Sequence, residues 1–332
     1  MSREAGADHE PRSVLRNFSD LVAKLLVSGG LLYWLLSGFD LAAFGSILQH
    51  THILLFVLAA GFFALSNVLG AFQWYLLLRG QALGVSLRQA VVLYWVGVFF
   101  NNVLLGNIGG DAIRIYDVRR LTGETSRAAA ATFMDRFVGL FSTCCLALGA
   151  CVLVAEVRRP GLVTMLVSVW SGLVVLLALG LSRRLGSQVE RVLRRLPARV
   201  SGILGELRSN FFVYRHKAPL LVGVWLVSLG VQFSRILVYW TAGAAVGLEV
   251  GLRFFIGFQP VAAIAAALPI SVGGLGVREG VLVELFGGIG VEESLAFATS
   301  ILGYGAGILA SLLGGILFIV RRIHPVDTPQ QT

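Results

Sequence analysis

Long apolar runs separated by short polar segments make up most of this chain. An α-helix needs about 20 apolar residues to cross the hydrocarbon core of a bilayer. Six runs approach or exceed that length and predict full transmembrane helices at 21–39, 53–78, 128–155, 162–181, 220–246 and 294–320. The predicted fold class is therefore an all-α integral membrane protein.

Three further apolar runs do not fit the pattern of simple spans. The run 90–105 is followed by a segment rich in arginine, although basic residues also precede it, so both flanks should face the cytoplasm. The runs 254–268 and 275–289 are too short to span alone. We predict two re-entrant helical hairpins of opposite orientation, giving eight hydrophobic elements arranged as an inverted repeat. An ordinary span through 90–105 is the alternative.

The positions of lysine and arginine predict the orientation of the spans. The loop 40–52 has neither residue, whereas the loop 182–219 holds nine of them. The positive-inside rule places that basic loop and both termini in the cytoplasm, with the protein in the cell membrane. The predicted organisation is a polar cytoplasmic tail (1–18), one polytopic membrane domain (19–322) and a second cytoplasmic tail (323–332). The basic loop either lies along the anionic inner leaflet or only sets the topology.

Composition agrees with a membrane protein and excludes several other classes. Hydrophobic residues are 56% of the chain and charged residues 14%, against about 25% charged in soluble domains. The net charge is +9, and the basic residues that produce it lie beside apolar runs, so nucleic acid is not an expected partner. Cys144, Cys145 and Cys151 share one apolar run and are expected to pack, not to bind metal. No dinucleotide, phosphate-loop, zinc-protease or serine-hydrolase motif occurs, so neither a cofactor nor catalysis is expected.

Two segments of almost the same pattern lie within the predicted hairpins, at 107–114 and 271–278. Each reads small or polar residue, aliphatic, Gly-Gly, any residue, small, aliphatic, Arg. Paired glycines favour a turn over a continued helix. Broken helices of this kind form the central sites of transporters, so we predict that the two turns meet near the membrane midplane.

Ionisable residues within apolar runs are costly in lipid and indicate functional sites. Guanidinium groups and the N–H groups of a helix N-terminus both bind phosphate, so arginines beside these turns predict a site for a lipid headgroup. A buried salt-bridge network that locks the hairpins is a compatible alternative. The residues predicted to form the site are Asn107, Gly109, Gly110, Asp111, Arg114, Asp135, Arg136, Arg235, Gly273, Gly274, Gly276, Arg278 and Glu279.

The sequence also suggests how these charges pair. Asp135 and Arg136 are adjacent and point about 100° apart on a helix, so each is predicted to pair elsewhere. We predict that Asp111 lies near an arginine of the other repeat, and that Glu279 lies near Arg136 or Arg235. Small residues at every fourth position of the last span predict a face for close helix packing, at Gly303, Gly307, Ser311 and Gly315.

Three segments carry a resemblance to a known family. They are 102–114, the pair Asp135-Arg136, and 268–279. Together they resemble the lysylphosphatidylglycerol synthase transmembrane family, also called flippase-like, over about residues 15 to 322. The resemblance implies a multi-helix domain that, in full-length relatives, translocates aminoacylated phosphatidylglycerol between leaflets. Those relatives add a cytoplasmic aminoacyl-transfer domain, which is not expected here because the chain ends soon after Arg322.

Three functions are consistent with the sequence. The preferred one is translocation of an anionic or modified phospholipid, a glycolipid or a polyprenyl-linked lipid. The alternatives are a non-transporting partner of a cell-envelope enzyme and a membrane-embedded transferase that uses Asp111 or Glu279 as acid or base. The candidate partners are anionic membrane lipids, an envelope-biosynthesis enzyme and a second copy of the chain.

Overall fold

A computed structural model describes residues 49–103, 109–158, 160–182, 198–267 and 274–320, and it has no strand among them. The described α-helices are α1 (Ile53–Gly80), α2 (Leu87–Val103), α3 (Gly109–Thr122), α4 (Thr125–Leu153), α5 (Pro160–Leu181), α6 (Ala198–Phe212), α7 (Ala218–Ala245), α8 (Leu252–Ala267), α9 (Val277–Gly287) and α10 (Glu293–Val320). Short 3-10 turns occupy Ala155–Val157 and Val213–His216. The prediction of an all-α fold is confirmed.

Five of these helices, α1, α4, α5, α7 and α10, are long and apolar enough to cross a membrane. Their bounds lie within a few residues of the predicted runs. Their outward-facing side chains are also apolar, as expected where lipid is the solvent. The predicted span 21–39, the tails 1–18 and 323–332, and much of the basic loop 182–219 lie outside the described residues.

The antiparallel pair of α1 and α7 forms the most extensive helix contact in the bundle. At one end, the Lys217 ammonium donates a hydrogen bond to the Gly80 carbonyl. At the other end, the His52 backbone N–H donates to the Ala245 carbonyl at 2.9 Å. The last carbonyls of a helix have no intrahelical donor, so each of these bonds satisfies a group that the helix leaves open. We call the two ends of the bundle the Gly80 end and the Ala245 end.

Two helical hairpins start from opposite ends of this pair. The α2–α3 hairpin follows α1 at the Gly80 end, and the α8–α9 hairpin follows α7 at the Ala245 end. These helices have 17, 14, 16 and 11 residues. At 1.5 Å per residue, they rise about 26, 21, 24 and 17 Å, less than the roughly 30 Å of a hydrocarbon core. The predicted hairpins of opposite orientation are confirmed, and a single span through 90–105 is wrong.

The same helix contacts recur in both halves of the chain. The first helix of each half packs on its own hairpin, α1 on α2 and α7 on α8. The hairpins also reach across the halves, with α2 packed on α10 and α8 packed on α4. Exchanging the halves therefore leaves the contact pattern unchanged. This is the arrangement of an inverted repeat, and α5 and α6 connect the two halves.

Close contact explains one glycine of each Gly-Gly pair, Gly110 and Gly274. A Cβ atom on Gly110 would lie 1.8 Å from the carbonyl oxygen of Gly97. The Asn101 side chain accepts a hydrogen bond from the Gly110 N–H at 2.9 Å, which fixes the start of α3 against α2. In the other hairpin, a Cβ on Gly274 would lie 2.4 Å from the Ala266 Cβ, and the φ of Gly274 is +76°. Positions 110 and 274 therefore need glycine.

The predicted packing face on α10 is confirmed. A Cβ on Gly303 would lie 2.7 Å from the ring of Tyr239 in α7, and one on Gly307 would lie 3.0 Å from Phe63 in α1. The absence of a side chain lets α10 approach both helices of the central pair.

Replacing Gly110 with alanine tests the hairpin contact. We expect Gly110→Ala to lower the free energy of unfolding by about 1–3 kcal/mol, because the methyl group forces α2 and α3 apart. Gly61→Ala is the matched control, since a Cβ there meets no atom of the described residues within 4 Å. The measurement is the thermal unfolding midpoint of the purified protein in detergent. Equal midpoints for the two variants would contradict the assigned contact.

Candidate functional site

A cavity of about 280 Å³ lies between the two hairpins and the helices that support them. Four arginines line its wall, one each from α3, α4, α7 and α9: Arg114, Arg136, Arg235 and Arg278. Polar and aromatic groups line much of the remainder, among them Tyr94, Asn101, Asn102, Gln232, Tyr239 and Tyr304. The fold thus brings the predicted arginines of both repeats to one space.

Arg114 is the most strongly held of these arginines. Its side chain is 3% exposed, and its guanidinium lies 5.0 Å from the Trp74 ring centre and 4.8 Å from that of Tyr94. It donates to Asp111 at 2.6 Å and to Asp135 at 3.1 Å. Two carboxylates and two aromatic faces therefore surround one buried cation, and each comes from a different helix.

The adjacent residues Asp135 and Arg136 each have a different partner, as predicted. Arg136 donates from Nε and Nη2 to the two carboxylate oxygens of Asp111, at 2.7 and 2.9 Å. This forked geometry is the strongest that arginine and a carboxylate form. Asp135 accepts a hydrogen bond from Gln73 at 2.7 Å as well as the one from Arg114. The four charged residues make a neutral network that ties α3 to α4.

The second repeat holds its arginine differently. The Arg278 guanidinium lies 4.9 Å from the centre of the Tyr304 ring. Glu279 is fully buried and accepts a hydrogen bond from the Gly276 N–H at 2.6 Å, which caps the start of α9. Its other oxygen lies 3.4 Å from the Ser300 hydroxyl and 3.9 Å from Arg278.

Two predicted pairings are wrong. Asp111 pairs within its own repeat, because the i,i+3 spacing places it beside Arg114 on α3 and α4 packs against that face. Glu279 does not pair with Arg136 or Arg235, because it lies in the first turn of α9 and reaches back to the backbone there.

Arg235 differs from the other three arginines. It makes no ion pair or hydrogen bond within the described part of the chain, and its Nε is buried. Asn102 Nδ2 and Arg114 Nε are also buried, with no hydrogen-bond partner among the residues that the structure describes. All three atoms are donors at the wall of the same cavity. The cavity therefore has an excess of donors among the described residues. Its wall holds four arginines, and the carboxylates beside them are those of Asp111, Asp135 and Glu279.

The remaining predicted site residues are glycines and one asparagine. Asn107 and Gly273 lie outside the described residues. Gly109 and Gly110 begin α3, while Gly274 and Gly276 precede α9, so they position the helices that carry the arginines. A role of any of these residues in binding a lipid headgroup stays a prediction.

Sequence reasoning missed the residues that hold the arginines. The guanidinium groups contact or face four aromatic rings, those of Trp74, Tyr94, Tyr239 and Tyr304. The sequence alone does not distinguish these residues from the other aromatic residues of the apolar spans. Gln73 could have been found, because a buried amide inside an apolar span needs a polar partner.

A family model described as "Lysylphosphatidylglycerol synthase TM region" matches residues 21–315. A "UPF0104 membrane protein" of Methanothermobacter thermautotrophicus is 24% identical over 286 residues, 76% of this chain and 79% of that protein. The "UPF0104 membrane protein PH1989" of Pyrococcus horikoshii is 23% identical over 302 residues, 83% of this chain and 90% of that protein.

Neutralising Asp135 tests the buried network. We expect Asp135→Asn to lower the free energy of unfolding by roughly 3 kcal/mol, the lower end of the cost of breaking a buried pair, because Asp111 still holds Arg114. Glu124→Gln is the control. Glu124 and Arg127 are 3.7 Å apart and nearly half exposed. Loss of such a surface pair changes stability by less than about 1 kcal/mol. Chemical denaturation of the purified protein would show whether the two variants differ; indistinguishable curves would refute the network.

Proposed function

Because the chain belongs to the lysylphosphatidylglycerol synthase transmembrane-region family, we propose that it moves a lipid with an anionic headgroup between the leaflets of a membrane. The observation that carries this proposal is the donor excess in the cavity between the oppositely oriented hairpins. Buried cations without partners are costly in a membrane protein, and a bound anion removes that cost.

The headgroup phosphate binds at Arg235. The guanidinium of Arg235 has no partner among the described residues, whereas Arg114 and Arg136 are held by carboxylates. Phosphate accepts two parallel hydrogen bonds from a guanidinium, and the buried amide donor of Asn102 supplies another. Asp111, Asp135 and Glu279 keep the neighbouring arginines in place.

The two hairpins control access to the cavity from opposite leaflets. Movement of α2–α3 exposes the cavity toward the Gly80 end, and movement of α8–α9 exposes it toward the Ala245 end. Arg79 and Arg88 flank the loop at the Gly80 end. The positive-inside rule supports a cytoplasmic position for that end and for both chain termini, with the protein in the plasma membrane. The acyl chains remain along the apolar outer faces of the spans.

A transferase is less consistent with these contacts. General acid–base catalysis needs a carboxylate free to exchange a proton with its substrate. Asp111 accepts from two arginines, Asp135 from Arg114 and Gln73, and Glu279 from the start of α9. All three carboxylates are therefore occupied by structural partners.

Transport in reconstituted vesicles tests the function. We expect the protein to move fluorescent phosphatidylglycerol between leaflets, and we expect Arg235→Gln to lower the rate about 10- to 100-fold. A hydrogen bond to a charged group contributes roughly 1.5–3 kcal/mol, which is the basis of that range. Arg127→Gln, which removes a charge from the exposed start of α4, should transport at the wild-type rate. A wild-type rate in Arg235→Gln, or no movement of lipid by the unaltered protein, would sink the proposal.

A further inference from the structure

Two arginines share the carboxylate of Asp111. Its Oδ2 accepts from Arg136 Nε at 2.7 Å, and its Oδ1 accepts from Arg136 Nη2 at 2.9 Å and from Arg114 Nη2 at 2.6 Å. Asp111 lies in the first turn of α3, directly after the Gly-Gly pair of the first hairpin, and Arg136 lies in α4. The forked bond to Arg136 therefore ties the start of α3 to a full span.

A second charged link joins the same two helices. Arg114 of α3 donates to Asp135 of α4 at 3.1 Å. Two links at different points fix the orientation of α3 against α4, whereas a helix that is held at one point can turn about it. The α2–α3 hairpin is therefore fixed only while both links are intact.

The two links differ in their exposure. Arg114 and Asp135 are 3% and 6% exposed, whereas the Arg136 side chain is 48% exposed. Arg136 lines the arginine-lined cavity and also an adjoining cavity of about 260 Å³ between α1, α4, α7 and α8. Arg235 lines the same two spaces, so an anion held by Arg235 lies in the region that the Arg136 side chain borders.

The charge balance of this cluster allows Arg136 to change partners. Three arginines, Arg114, Arg136 and Arg235, stand beside two aspartates, Asp111 and Asp135, and a phosphodiester adds the one negative charge that makes the cluster neutral. Phosphate accepts the same forked bond as a carboxylate, so it competes directly with Asp111. Asp111 keeps its bond to Arg114 when Arg136 turns away. The exchange therefore avoids the cost of an uncompensated buried carboxylate.

We propose that the Asp111–Arg136 pair is a latch on the first hairpin and that a bound anion opens it. The anion replaces the Asp111 carboxylate on Arg136, and Arg136 and Arg235 hold it together. The bond between Arg114 and Asp135 remains as the pivot about which the hairpin turns. Headgroup binding thus itself loosens the hairpin that closes the cavity toward the Gly80 end. This inference rests on the proposed function, because it takes the arginine-lined cavity as the anion site.

Hydrogen exchange of the unaltered full chain in detergent tests the latch without any substitution. We expect dihexanoyl-phosphatidylglycerol to speed exchange of the α3 amides about tenfold, the effect of losing one charge-assisted hydrogen bond. A ligand that only stabilises the structure would slow this exchange. Dihexanoyl-phosphatidylcholine, which has the same acyl chains and no net charge, should leave it unchanged. Helix α5 is the internal reference, because none of its residues lines either cavity.

Substitution of Asp111 removes the internal competitor of the anion. We expect α3 of Asp111→Asn to exchange fast without lipid. Asp135→Asn is the matched control, because it removes the same charge from the same network and leaves the Asp111–Arg136 pair in place. A general gain of positive charge strengthens anion binding in both variants. We therefore expect Asp111→Asn to bind the anionic lipid about tenfold tighter than Asp135→Asn, as read from the dependence of the unfolding temperature on lipid concentration.

Substitution of Arg136 removes the other half of the latch. In Arg136→Gln, α3 should exchange fast with or without lipid, and the affinity for the anionic lipid should fall about tenfold, because the anion loses one guanidinium. The two halves of one ion pair are thus expected to change the affinity in opposite directions. A pair that is only structural would change it in the same direction in both variants.

The outcomes distinguish failure of the latch from failure of the proposed function. If the anionic lipid binds more weakly to Arg235→Gln than to the unaltered protein, but α3 exchange slows or stays unchanged on binding, the latch is wrong and the anion site stands. Equal affinities of Asp111→Asn and Asp135→Asn overturn the latch in the same way. If the anionic lipid does not bind, or Arg235→Gln binds it like the unaltered protein, the anion site itself is wrong, and the latch fails with it.

Discussion

A buried guanidinium in a membrane protein needs carboxylates or aromatic faces around it, and the surroundings of Arg114 meet this need with parts of four helices. Trp74 comes from α1, Tyr94 from α2, Asp111 from α3 and Asp135 from α4. Separation of α3 from α4 would leave Asp135 without its arginine in a low-dielectric interior, and separation of α1 or α2 would remove an aromatic face from the guanidinium. The first hairpin is thereby fixed to the spans on both sides of it.

The inverted repeat is symmetric in its backbone and asymmetric in its charges. Arg278 occupies the position in the second motif that Arg114 occupies in the first. Its surroundings include the Tyr304 ring and, at 3.9 Å, the Glu279 carboxylate, which also caps α9. Arg235, which makes no ion pair among the described residues, belongs to the same half. The arginine that is available to an anion therefore lies in the second repeat.

Much of the fold could be predicted because the bilayer sets the length of a span. The bounds of α1, α4, α5, α7 and α10 follow from apolar runs alone, and the glycine pairs located both hairpin turns. The arginines that line the cavity were also identifiable, since charges within apolar runs are few.

The pairing of those charges could not be predicted. Whether Asp111 meets an arginine of its own repeat depends on which face of α3 packs against α4, and that is decided by tertiary packing. The commitment of Glu279 to a helix cap depends on where α9 begins. The donor excess at Arg235 depends on the partners of the neighbouring charges, and those partners do not follow from the sequence.

The central claim is that arginines from both repeats meet in one cavity and hold an anion there. An experimental structure of the protein in a bilayer disc containing phosphatidylglycerol tests this most directly. We predict a headgroup phosphate within about 3 Å of the Arg235 guanidinium, between two hairpins that do not cross the membrane. A structure with Arg235 paired to a carboxylate of the protein, or with the arginines of the two repeats in separate spaces, would contradict the account.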